Sequence, residues 1–70
     1  MTPRYKNFEM VKIGDKIIFD NTLGIIENIE KTKLLGTIIE KLEDDNVKVN
    51  VESVLFSKPV ETIIKYYVLV

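Results

Sequence analysis

The sequence predicts an all-β domain, five short and strongly bent strands closed into a small barrel, and three observations carry that expectation. Ten Ile and eight Val stand against no Ala, and β-branched side chains fit a pleated surface but lose χ1 freedom on a helix. No stretch of about ten residues repeats apolar positions at i, i+3, i+4 and i+7, the stripe that an amphipathic helix requires. Clusters of Gly, Asp, Asn and Ser recur at roughly 8–12-residue intervals, the turn spacing of small all-β domains.

Seventy residues are enough for one domain, and a chain of this length buries only about 60% of its unfolded surface. Cysteine and histidine are both absent. That removes disulfide staples, thiol chemistry, sulfur-ligated zinc and the commonest acid/base group. Stability must therefore come from packing or self-association, and the expected partner is a protein, a second copy of the chain included. Ten basic and eleven acidic residues give a net charge of −1, which disfavours a phosphate-binding nucleic-acid partner. No apolar run approaches the ~18 residues of a membrane span. The polar start Met-Thr-Pro-Arg-Tyr-Lys does not read as a signal peptide, so a cytoplasmic location is expected.

Residues 1–7, with Pro3, Arg4 and Lys6 around a single Tyr5, read as a flexible lead-in, and residues 8–70 as the barrel. Val11 and Ile13 flank Lys12 in a short half-buried segment. Gly14 and Asp15 form a turn, because Gly tolerates positive φ and Asp hydrogen-bonds turn backbone. Residues 16–19 are the first firm strand. Asp20, Asn21 and Thr22 signal a hairpin, with Gly24 at a position needing close approach or an unusual dihedral. Ile26 and Ile29 are three apart, which places an extra residue near Glu27 and Asn28, a β-bulge.

Residues 34–42 form the longest strand, apolar on both faces in its middle, with Gly36 marking a bend. Glu43, Asp44, Asp45 and Asn46 form a turn. Val47, Val49 and Val51 then alternate with polar residues and point inward. Residues 53–57 suit a helical or 3₁₀ turn, and Pro59 restarts extended chain. The last strand runs over residues 60–70. Its end, Tyr66-Tyr67-Val68-Leu69-Val70, is apolar on both faces and would invite pairing if left as a bare edge, so it is expected to be covered.

The acidic turn at Glu43, Asp44, Asp45 and Asn46 lacks the fixed acid offsets of a calcium loop, so no metal is assigned. Lys16, Lys31, Lys33, Lys41 and Lys48 with Phe19, Tyr66 and Tyr67 could build a stacking platform for single-stranded nucleic acid, but each lysine has acidic neighbours. Ser53 and Ser57 have no histidine to activate them. No catalytic residue and no cofactor is assigned, and the chain is expected not to be an enzyme.

Phe8, Ile13-Gly14-Asp15-x-Ile17, Gly24-x-Ile26-x-x-Ile29 and Ser53-x-Leu55-Phe56-Ser57-x-Pro59-Val60 together resemble the β-domain of small-conductance mechanosensitive channels. The resemblance covers about residues 8–62. It departs at Val51-Glu52, where the family carries Pro-Asn, and the pore-forming helices have no counterpart in these residues. It implies an Sm-like, SH3-like five-stranded barrel whose relatives assemble into rings by pairing edge strands. The Ile-Gly-Asp opening is shared with KOW and Tudor-type modules, which leaves nucleic-acid or protein binding as the alternative function. The first reading is a self-associating or docking module working through its C-terminal edge, with Ser57, Pro59, Tyr66, Tyr67 and Leu69 as the expected interface. Gly14, Asp15, Gly24 and Gly36 are the expected structural turns.

Overall fold

The computed structural model describes residues 4–20, 33–52 and 58–69. Within them four strands, β1 (Lys16–Asp20), β2 (Lys33–Lys41), β3 (Asn46–Glu52) and β4 (Val60–Lys65), form one antiparallel sheet in the order β1-β2-β3-β4. Short 3₁₀ turns at Phe8–Met10 and Tyr66–Val68 flank it. The all-β class expected from composition is what the described residues adopt.

β1 and β3 start where their local chemistry predicts. Gly14 takes φ +98, and the Asp15 amide donates to the Lys12 carbonyl at 3.1 Å. The Asp15 carboxylate in turn accepts from the Lys12 amide at 3.3 Å, closing the turn that launches β1. Asp44 and Asp45 have φ 56 and 64, and Asn46 N donates to the Glu43 carbonyl at 3.1 Å. Positive φ at both central residues marks the turns whose twist suits a tight hairpin, and Asp tolerates that conformation better than most residues.

Alternation divides the sheet into two faces. Val47, Val49 and Val51 are fully buried, together with Ile38, and Ile17, Leu34 and Ile64 join them on the inner face. Burying each such side chain contributes about 1.5–3 kcal/mol. Gly36 sits on this face within unbroken pairing to Ile17 and Val51. A Cβ there would lie 2.6 Å from Val49 Cγ1 and 3.3 Å from Ile17 Cδ1, so close packing requires the glycine. The register break of β2 comes later, between Ile38 and Glu40. Ile39 is the extra residue, and it shifts Glu40 from the inward phase of Leu34, Gly36 and Ile38 to a place opposite Lys48.

The inner face is closed by the ends of the chain. Arg4 N donates to the Leu69 carbonyl at 2.9 Å, and Tyr5, Val11 and Leu69 are buried in the same core as the valines. Five expectations are corrected by this arrangement. Tyr5 belongs to the core, not to a loose lead-in. Ile13, expected half-buried, is exposed, because the Gly14 turn carries the chain away from the core beside it. The last strand ends at Lys65: Tyr66 N bonds the Asp45 carbonyl and the Tyr66 ring stacks on Phe8 at 5.8 Å, which turns the chain across the open face. Leu69 is consequently a core residue. Finally, the described strands form an open four-stranded sheet covered by terminal segments, not a closed five-stranded barrel. The strand expected after Gly24, the bulge at Glu27 and Asn28, and the turn at 53–57 lie outside the described residues.

Gly36→Ala is expected to lower unfolding stability by about 1–3 kcal/mol through overpacking, read from the urea midpoint. A neutral or stabilising result would mean that Val49 and Ile17 yield at no cost. Leu69→Ala should cost about 2–5 kcal/mol as a core truncation and should do so equally at every protein concentration.

Candidate functional site

Alternation that sends the valines inward sends a second set of side chains outward. Lys16 and Ile18 on β1, Leu35, Thr37 and Ile39 on β2, Lys48, Asn50 and Glu52 on β3, and Glu61 and Ile63 on β4 form the outer face. Pairing aligns Ile18, Leu35 and Glu52 across three strands in one row, and Lys16, Thr37 and Asn50 in the next. Leu35 is 70% exposed, Ile63 55% and Ile18 42%. Lone exposed aliphatics are ordinary, but neighbouring ones on rigid strands mark a surface that can bind.

Beside Leu35 lies a groove of about 330 Å³ lined by Lys16, Ile17, Gly36, Thr37, Asn50 and Glu52 as well as Leu35 itself. Its polar rim is ordered. The Lys16 ammonium donates to Thr37 Oγ1 at 2.7 Å, and Asn50 Nδ2 donates to Glu52 Oε1 at 3.5 Å. The groove thus has an apolar interior, a cation on the β1 side and an anion on the β3 side.

The expected interface is dispersed. Pro59 is exposed just before β4 and Tyr67 is 54% exposed, whereas Tyr66 is half-buried against Phe8, with Tyr67 edge-on to it at 5.6 Å. Leu69 is fully buried, and Ser57 lies outside the described residues, as does Gly24. Of the expected stacking platform only part is described. Lys41 Nζ sits 4.7 Å from the centre of the Phe8 ring, Lys48 pairs with Glu40 at 3.5 Å, and Lys16 is held by Thr37, while Lys31 and the Phe19 side chain are not among the described parts. At the acidic turn, the Asp44 and Asp45 carbonyls accept from Lys65 Nζ and Tyr66 N. Among the described residues no group of three acidic side chains could hold a metal ion, and no helix is long and apolar enough to cross a membrane.

Sequence reasoning missed the outer-face pair of Ile18 and Leu35 and the corner charges Lys16 and Glu52. Their signal was in the alternation, but it became legible only once the register was known. It also missed a clasp between Tyr5 and Asp15. The Tyr5 hydroxyl donates to Asp15 Oδ2 at 2.7 Å, tying the N-terminal segment to the turn before β1. That hydrogen bond is the main cause holding the Asp15 carboxyl below its usual 3.8, helped by the Lys12 amide and by the Arg4 and Lys12 charges and opposed by burial. Burial chiefly, then the bond to Asp15, raises the Tyr5 hydroxyl above 10.0, while Arg4 opposes the shift. Perturbed groups often mark active sites; neither residue of this pair lines the groove, and the pair fastens two chain segments.

A depressed carboxyl stabilises the fold above its unfolded value, and that stability is lost as pH falls through the lower folded value. A raised hydroxyl keeps its contribution below 10.0 and loses it as pH climbs past that value. The difference in melting temperature between the wild type and Tyr5→Phe is therefore expected to be widest near neutrality and to narrow below about pH 4 and above about pH 10. A difference independent of pH would contradict the clasp. Compared with protein-family models, curated proteins and solved structures, the chain matches none.

Proposed function

We propose that this chain is a non-enzymatic β-sheet interaction module that binds a protein surface, another copy of itself included, through the outer face of its sheet. The observation that carries this reading is the exposed pair of Ile18 and Leu35, paired across β1 and β2, with Ile39 and Ile63 exposed farther along the same face beyond the row of Thr37, Asn50 and Glu61. Covering an aliphatic side chain of this size contributes about 1.5–3 kcal/mol, a large fraction of the stability of a small domain. β4 is an edge of the described sheet, and it carries the exposed Ile63.

The resemblance to the β-domain of mechanosensitive channels supports the same reading, since its relatives work by assembly. We also infer that the sheet curls toward the small barrel of that family. The bulge at Ile39 and the hydrogen bond joining Arg4 to Leu69 favour such curling. The alternative, a KOW or Tudor-type nucleic-acid binder, gains less support, because Lys16, Lys41, Lys48 and Lys65 all have partners within the chain.

Leu35→Ser and Ile18→Thr test the reading together. Both variants are expected to unfold within about 0.5 kcal/mol of the wild type, as surface substitutions do, while native-state binding of a hydrophobic dye falls sharply. A loss above about 2 kcal/mol, the size of a core truncation, would show the face to be internal and end the proposal. Saturable binding of short RNA or DNA at low salt, with Lys16 and Lys48 amides shifting in nuclear magnetic resonance spectra, would favour the alternative.

A further inference from the structure

We propose that the partner of the outer face is a second copy of this chain, in a two-fold contact that places Leu35 of each copy in the groove of the other and pairs Lys16 with Glu52 across the interface. The inference rests on the outer face being the binding surface and adds the identity of its occupant.

A two-fold contact demands self-complementarity of a single patch, and three observations supply it. First, the patch has both a knob and a hole: Leu35 is the most exposed large apolar residue among those described, and it borders a groove of about 330 Å³. That volume lies at the low end of sites that enclose a small ligand and has room for a leucine side chain.

Second, the charges are placed for exchange. Ile17, Gly36 and Val51 form the central row across β1, β2 and β3. Lys16 lies one residue to one side of this row on β1, and Glu52 one residue to the other side on β3, so the two stand at opposite corners with Gly36 midway. A two-fold axis lying between the facing sheets, over Gly36 and perpendicular to the line joining these corners, exchanges Lys16 with Glu52. The same rotation sets Ile18 of one copy near Leu35 of the other and brings each Leu35 over the groove of the facing copy. Two equivalent ion pairs then frame an apolar centre. Opposite charges at the corners suit a second copy; a patch of one sign would have suited an oppositely charged partner.

Third, the area sets the strength. Four strands ~4.8 Å apart and about 20–30 Å long offer roughly 400–600 Å², about half to three-quarters of the ~800 Å² per partner that a stable complex buries. The contact is therefore a reversible dimer that forms in the micromolar to millimolar range.

Analytical ultracentrifugation of the full chain from about 10 μM to 1 mM, with melting measured alongside, tests the proposal. The wild type is expected to shift from monomer toward dimer, and Leu35→Ser to remain a monomer with unchanged melting. Lys16→Glu and Glu52→Lys should each weaken association by at least about tenfold, equivalent to ~1.4 kcal/mol. Mixing these two variants should restore it, because a mixed dimer sets two acidic corners on one copy against two basic corners on the other. A general loss of folding does not produce recovery on mixing. A wild type that stays monomeric at about 1 mM, with Leu35→Ser folding normally, overturns the self-pairing and leaves the outer-face reading standing. Association that survives Leu35→Ser, or no recovery on mixing, also overturns it. Destabilisation of the monomer by Leu35→Ser overturns both readings, since the face would then be packed within the chain.

Discussion

Parity along β2 is the constraint on which the rest of the structure depends. Residues on an antiparallel strand alternate between faces, so one extra residue exchanges the fate of every side chain beyond it. Up to Ile38 the even-numbered residues of β2 point into the core, and Ile38 lies opposite Val49. Had the phase continued, the Glu40 carboxylate would have met the valine row, where an unpaired charge is costly. Ile39 absorbs the offset, and Glu40 emerges opposite Lys48 with the two side chains 3.5 Å apart. That exposed pair adds little by itself. What matters is that the charge is kept out of the core and that β2 bends where it must to wrap the inner face.

The core is then completed by chain that is not strand. Four strands with one apolar face cannot shield that face alone, and the described residues of this small domain hold no second sheet to set against it. The described structure uses its ends instead. Tyr5, Val11 and Leu69 join the core, with a backbone hydrogen bond from Arg4 to the Leu69 carbonyl joining the two segments. The Tyr5 hydroxyl satisfies itself on Asp15, so an aromatic body is buried without an orphaned polar tip. The same Asp15 shapes the turn before β1. Terminal closure and strand initiation are thus coupled through one carboxylate.

Using the terminal segments for the inner face leaves the outer face with Ile18, Leu35 and Ile63 exposed among charges. The side chains of that face are fixed in register by the strands beneath. The face offers an apolar centre with opposite charges at its corners, an arrangement suited to weak and specific contact between proteins. Tyr66 and Tyr67, two of the aromatics expected in a stacking surface, are instead partly consumed, together with Phe8, in holding the C-terminal turn to the body of the domain.

The sequence by itself determined the β class, the turn at Gly14 and Asp15, the tight hairpin turn through Asp44 and Asp45, and the inward valines of β3. Each follows from local chemistry: β-branched composition, residues that accept positive φ, and a period of two unbroken over seven residues. Tertiary structure decided the rest. Gly36 is recognisable in the sequence as unusual, but only the approach of Val49 and Ile17 shows that packing, not bending, demands it. Leu69 and Tyr5 have the same local character as exposed apolar residues elsewhere in the chain, and they are buried because the termini meet. The candidate site follows the same rule. Lys16, Leu35 and Glu52 are far apart in sequence, and they become one patch only through a strand register that no local pattern specifies.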